Sequence, residues 1–167
     1  MLKIGLISDT HSYLDPKIWK YFSDVDEIWH AGDIGNLSVI NTLRDFKPLR
    51  GVYGNIDCHK IRQELPLDNV FSVEGLKVYI THIGGYPGTI KPRALKIIKQ
   101  EKPHLYICGH SHICKIMRDN DNKLIHINPG ACGNHGFHPI KTIVRFEIVE
   151  GKIENLEVIE LGKRSRK

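Results

Sequence analysis

The chain has 167 residues, 41% of them hydrophobic and 26% charged, with a net charge of +5. That length holds one hydrophobic core and not two, and the balance excludes a largely disordered or membrane-embedded chain. No apolar run approaches the ~20 residues that span a bilayer, Met1-Leu2-Lys3 passes directly into Ile4-Gly5-Leu6-Ile7 without a signal-peptide pattern, and the expected location is cytoplasmic.

Leu2 to Ser8 is a nearly continuous apolar run, the pattern of a strand buried on both faces, and it ends on Asp9-Thr10-His11. Asp15-Pro16 reads as an N-cap and first helical position, opening a short helix through Ile18, Trp19 and Phe22. Val25 to Ala31 predicts a second strand that runs into Gly32-Asp33. Asn36 is placed to cap a helix from about Leu37 to Asp45, set by the spacing of Val39, Ile40, Leu43 and Phe46. Arg50 to Tyr53 is a short third strand delivering Gly54-Asn55. The charged stretch from Cys58 to Asn69 contains Pro66 and lacks periodicity, so a loop or short irregular helix is expected.

Val70 to Val73 and Lys77 to Thr81 flank Glu74-Gly75-Leu76 as a β-hairpin leading to His82. After the glycine-rich loop 84–88, a helix from about Lys91 to Glu101 carries Ala94, Leu95, Ile97 and Ile98 on one side. Leu105 to Cys108 is the next strand and ends on Gly109-His110-Ser111-His112. Ile113 to Met117, Leu124 to Ile127, Thr142 to Val149 and Ile153 to Ile159 complete the strands. The expected architecture is an α/β sandwich of two packed sheets with helices outside, largely parallel in its first half and largely antiparallel in its second. It forms a single domain over 1–162, and the basic tail 163–167 reads as a frayed, solvated terminus. Cys58, Cys108, Cys114 and Cys132 form no C-x-x-C pair and are expected as free thiols.

Asp9, His11, Asp33, Asn55, His82, His110 and His112 all follow strand ends, where an α/β sheet delivers side chains to one rim. Each alone is weak evidence, since an Asp can cap a helix and an Asn can turn the chain. Together, carboxylate, imidazole and amide donors without a thiolate suit divalent metals of intermediate hardness, with manganese first and nickel, iron or zinc as alternatives. Two such cations can share a carboxylate, for which Asp33 is the candidate, and a hydroxide placed for in-line attack on phosphorus. Glycines 32, 54 and 109 allow close backbone approach beside these residues. Two histidines one residue apart in a bent loop, as at 110 and 112, can serve different cations, whereas on a regular strand they would share one face.

In this order of blocks from Asp9 to His112, with Asn128-Pro129-Gly130-Ala131 behind them, the chain resembles the calcineurin-like metallophosphoesterase superfamily, and within it the small single-domain phosphodiesterases of bacteria and archaea. The resemblance implies a four-layer αββα sandwich of two mixed sheets. It implies one metal on Asp9, His11, Asp33 and His112 and another on Asp33, Asn55, His82 and His110. Many relatives carry a histidine directly after the third-block asparagine, thought to protonate the leaving group; here that place is Ile56. Isoleucine cannot donate a proton, so assistance worth ~10²- to 10⁴-fold must come from elsewhere or be absent, which predicts a bias toward phosphodiesters. His59, His135 and His138 are the alternative proton donors, and Asp57 is expected to orient a ligand rather than be one. Cys58 and Cys132 are considered as pocket residues, with a buried inert thiol as the default. Substrate choice is expected in loops 56–69, 83–90 and 131–141, with Tyr13, Tyr86 and Phe137 as stacking residues. The expected partner is a small-molecule phosphodiester. Nucleic acid ranks lower because no basic helix with interleaved aromatics is present, and a homodimer is left open. The rival readings are a non-catalytic scaffold similar to the retromer subunit of this fold, and a phosphomonoesterase.

Overall fold

The computed structural model describes residues 1–165, so Arg166 and Lys167 of the basic tail lie outside the described residues. In chain order the elements are β1 (Leu2–Ile7), α1 (Lys17–Tyr21), β2 (Glu27–His30), α2 (Leu37–Phe46), β3 (Leu49–Gly51), α3 (His59–Glu64), β4 (Asp68–Val73), β5 (Leu76–Thr81), α4 (Pro92–Glu101), β6 (Leu105–Ile107), β7 (Cys114–Asp119), β8 (Leu124–Pro129), β9 (Ile140–Val149) and β10 (Lys152–Lys163). They form two five-stranded sheets, ordered β10-β9-β1-β2-β3 and β4-β5-β6-β8-β7.

Period-two alternation explains the layers. In the first sheet Leu6, Trp29 and Val144 point to one face and pack with Val78, Ile80, Leu105, Ile107 and Ile127 of the second, forming the core between the sheets. Their neighbours Ile7, Ile28 and Ile143 point the other way, against Ile18, Ile40, Leu43 and Ile61 of α1, α2 and α3. Tyr79, Tyr106 and Leu124 cover the outer face of the second sheet with Ala94 and Ile98 of α4. Helices, sheet, sheet and helix make four layers. Each fully buried Ile or Leu in them contributes about 1.5–3 kcal/mol by removal from water.

The expectation of a largely parallel first half and a largely antiparallel second half of the chain does not hold: both kinds of pairing occur in each half. Each sheet has a three-stranded parallel block, β1-β2-β3 at one side of the first and β5-β6-β8 at the centre of the second. Each also has antiparallel additions, β9 and β10 in the first and β4 and β7 in the second. The late strand β9 returns to lie beside β1, Ile4 opposite Phe146, a pairing that no local pattern encodes.

Smaller differences have local causes. The unpatterned stretch after Cys58 contains the helix α3, held by the single buried Ile61. The Asn36 side chain makes no cap bond, whereas Asp15 accepts from the Lys17 amide at 3.0 Å and opens α1 as anticipated. β10 runs on to Lys163 because two register shifts, between Glu154 and Glu157 and between Glu160 and Gly162, keep Ile159 and Leu161 on the buried face. Lys163 and Arg164 of the expected frayed tail are therefore built into the fold: Lys163 pairs with Ile140, and Arg164 is only 9% exposed.

Candidate metal centre

The parallel strands of both sheets end on one rim, and the seven expected donors come from the loops that leave it. Asp9 and His11 follow β1, Asp33 follows β2, Asn55 follows β3, His82 follows β5, and His110 and His112 follow β6. Several of these loops turn too sharply for ordinary backbone. Asp9, His11, Asp33, His110 and His112 all have positive φ, between 44° and 70°, a conformation that non-glycine residues adopt at a cost and that clusters at functional sites. Glycine is required where two loops touch: a Cβ on Gly54 would lie 2.1 Å from Asp33 Oδ1, and one on Gly109 would lie 2.1 Å from Ser8 Oγ and 2.8 Å from Asp9 Oδ2.

The donors fall into two groups that share Asp33. Asp9, His11, Asp33 and His112 offer ligand atoms within 4.8 Å of one another, and so do Asp33, His82 and His110. His112 Nε2 is 3.1 Å from Asp9 Oδ1, His11 Nε2 is 3.4 Å from Asp33 Oδ2, and His82 Nε2 is 3.2 Å from Asp33 Oδ1. His110 and His112 diverge to different groups across Ser111, while Asn55, exposed, lines the same cleft and belongs to neither group.

Three buried atoms at the centre, Asp9 Oδ1, His11 Nε2 and His82 Nε2, have no hydrogen-bond partner among the described residues. Nδ1 of His82 donates to the Ala31 carbonyl at 2.7 Å, which leaves a lone pair on Nε2 facing the carboxylates of Asp33 and Asp9. A lone pair against a carboxylate is repulsive unless a proton or a cation lies between them, and fixing the tautomer through the far nitrogen is how a metal-binding imidazole is oriented. The electrostatics agree. Burial opposes charge on Asp33, but His11, His82 and the Ile56 amide outweigh it and hold the carboxyl far below the usual range. Burial likewise opposes charge on Asp9, and His112, His82 and Ser8 lower it. His82 is pushed up despite burial by the same two carboxylates, whereas burial and the charge of His82 push His110 down. The orphaned atoms and the oxygen and nitrogen donors fit divalent cations.

The sequence profile of the calcineurin-like phosphoesterase superfamily domain matches residues 2–151. The chain belongs to that superfamily. Among related proteins, a phosphodiesterase of Methanocaldococcus jannaschii is 34% identical over 148 residues, covering 78% of this chain and 84% of that one. A probable metallophosphoesterase of the same organism is 29% identical over 162 residues, covering 90% and 78%. An archaeal phosphodiesterase structure superposes with a TM-score of 0.73 at 28% identity, covering 96% of this chain and all of the other. Vps29 of Chaetomium thermophilum reaches 0.73 at 17% identity over 98% and 100% of the chains, a likeness of fold. The two mixed sheets flanked by helices are those of the metallophosphoesterases.

Around the superfamily centre, some expected residues arrive and others do not. His135 lines the cleft and stacks on the His11 ring at 4.5 Å. His138 lines it too, but its Nδ1 is occupied by the backbone of Ile140. His59 begins α3 and is not among the cleft residues. Asp57 takes the amides of Ile34, Gly35 and Gly54, fastening the Asp33 loop to the Asn55 loop. Cys58 is exposed at the start of α3, and Cys132 is fully buried against the Ser8 carbonyl with its thiol pushed up to about 12 by burial; neither lines the cleft. Loop 83–90 also stays outside it: the Tyr86 hydroxyl is tied to Ser111 and its ring lies under Lys115.

Three supports were not apparent from the sequence. Ser8 donates to Asp9 Oδ2 at 2.6 Å. Buried His30 accepts from the Gly32 amide and meets the Thr10 hydroxyl at 3.0 Å, and Thr10 donates to the Ile34 carbonyl, which joins the first two donor loops. Arg164, assigned to the tail, donates to the carbonyls of Ala131, Gly133, His138 and Ile140. Only the single strand-end histidine at position 30 carried a signal that could have been followed.

Proposed function

We propose that this protein is a binuclear metal-dependent phosphodiesterase. One cation would be held by Asp9, His11, Asp33 and His112 and the other by Asp33, Asn55, His82 and His110, with manganese the first metal to test. The observation that carries this reading is the pair of donor groups meeting at Asp33, with three buried donor atoms left unpartnered between them. When bound, such cations acidify water and neutralise charge on the phosphate oxygens. The residues of the chain do the rest. Asp33 holds both groups in register, and the Ile56 amide donates to its Oδ1 at 3.1 Å, tying the third-block loop to it. His82, locked by Ala31, keeps Nε2 aimed inward.

The diester preference rests on Ile56, which stands 46% exposed at the cleft where a proton donor would assist a poor leaving group. His135, exposed and with no backbone bond to its ring nitrogens among the described residues, is the better placed of the two loop histidines to give a proton to the leaving oxygen. The relative bearing the name phosphodiesterase supports this reading. The fold likeness to Vps29 keeps a non-catalytic scaffold as the competing reading, but the sequence has a donor residue at all seven expected positions, and six of them come together in the two groups.

The test is a hydrolysis panel with Mn²⁺, Ni²⁺, Zn²⁺ and Mg²⁺ on bis-aryl diesters, aryl monoesters and cyclic nucleotides. We expect diester turnover above monoester turnover, and its abolition in Asp33→Asn. Metal-bound protein inert on every ester would leave the scaffold reading in place.

A further inference from the structure

We infer that the cleft selects an ester with one phosphate and a flat, uncharged, apolar substituent, and that Phe137 is the side chain that grips this substituent; the inference rests on the phosphodiesterase reading above. The cleft has a volume of about 670 Å³, room for one such group beside a phosphate. Ile56, Ile113 and Phe137, exposed by 46%, 49% and 108%, come from three separate loops to its wall, with Pro139 beside them. They are three of the seven large hydrophobics strongly exposed among the described residues, gathered around one opening. Uncovered apolar surface concentrated at a cleft is the mark of a surface that a ligand covers.

Charge narrows the class. The cleft residues include five histidines besides Asp33 and Asn55, and neither a lysine nor an arginine. A polynucleotide or a polyphosphate brings several anionic groups that need cationic side chains along their path, and this wall has none. Arg62 and Arg93 line a separate, smaller cleft with Asn55 and His82, where the Asp57 carbonyl engages Arg62 and the Asp68 carboxylate engages Arg93, and Lys99, Lys102, Arg118, Lys123 and Lys152 line clefts at the opposite end of the second sheet, where β6 and β8 begin.

The exposure of Phe137 is not slackness of its loop. Arg164 binds carbonyls on both sides of it, at Gly133, His138 and Ile140. The backbone is anchored while the ring meets no aromatic or cationic partner among the described residues. By contrast, the Tyr13 ring lies under Lys141, 5.2 Å away, and that of Tyr86 under Lys115, 4.5 Å away. An anchored loop holding a free ring at the wall of this cleft can add a stacking partner with little ordering cost.

The test compares phenylphosphonate with methylphosphonate binding to manganese-loaded protein by calorimetry, in the wild type and in Phe137→Ala. Phe137 is fully exposed, so the variant folds as the parent. The wild type should prefer the phenyl form about tenfold, and Phe137→Ala should lose about five- to tenfold of phenyl affinity with methylphosphonate unchanged, as expected for one stacking contact. On a bis-aryl diester the same variant should raise KM by a similar factor and leave kcat within about twofold. Equal affinity for the two phosphonates in the wild type, or a phenyl preference that survives Phe137→Ala, overturns the inference. If no ester is hydrolysed but the phenyl preference is present and depends on Phe137, the phosphodiesterase reading fails and the ligand class stands.

Discussion

Ile56 separates position from chemistry at the scale of one residue. Its backbone amide serves the centre by bonding Asp33, while its side chain withholds the proton that a histidine there would supply. Ile56→His should keep the amide bond and add a donor at the cleft. We expect a gain of about ten- to a hundredfold on alkyl esters and little change on aryl esters, read as kcat with each substrate. No gain on the alkyl ester would mean that leaving-group protonation is not what the cleft lacks. The orphaned atoms around Asp33 lead to a second expectation that needs no substrate. Manganese at about a hundred times its dissociation constant should stabilise the wild type by about 2.7 kcal/mol, chelator should reverse the gain, and Asp33→Asn should show no such shift in Tm. An unchanged wild-type Tm on metal addition would contradict the cation fit.

At the scale of elements, the wall formed by residues 131–140 depends on Arg164, which lies just past the end of β10. Its planar fork reaches four carbonyls that diverge from one another, a geometry that an ammonium cannot reproduce. Arg164→Ala strands buried acceptors, so we expect a loss of roughly 2 kcal/mol, a fall in Tm of roughly 4–8 °C, and a raised KM from the loosened wall. Arg164→Lys should recover little of either. Thermal denaturation and steady-state kinetics check both, and a variant with the parent Tm and KM would mean that the bonds are incidental. Two bulges decide this arrangement by carrying β10 far enough to deliver the arginine. They arise from pairing with β9, and the local residue pattern past Ile159 carries no sign of them.

For the whole molecule, acid is the informative stress. His30 at the junction of the donor loops and His126 under Tyr106 are fully buried, and burial, ahead of all other influences, depresses both to about 4. Unfolded, each would titrate at its ordinary value of about 6.5. Between those values the unfolded chain binds more protons than the folded one, so stability is full above about pH 6.5 and falls as pH drops toward about 4. The loss is on the order of a few kcal/mol per histidine. Urea unfolding of the chelated protein at pH 7 and pH 5 should show it, with the slope reduced in His126→Phe. His82, pushed up by its carboxylates, opposes this trend in the chelated protein, so the decisive quantity is the difference between wild type and His126→Phe, and equal slopes for the two would mean that the His126 ring charges freely in the fold.

The candidate donors that the structure gathers at one rim were legible in the sequence, because each follows an apolar run whose end a sheet must present, and because Gly54 and Gly109 sit where two backbones come together. The helix faces and the β4-β5 hairpin were legible for the same reason: periodicity and turn chemistry are local. Tertiary structure alone decided that β9 lies against β1, which loop amides Asp57 takes, that His30 clamps the first two donor loops, and that Arg164 is a strut instead of a tail. Those features depend on which distant backbones offer free carbonyls and amides to a side chain, and a linear pattern of residues records the side chain but not the groups it will meet.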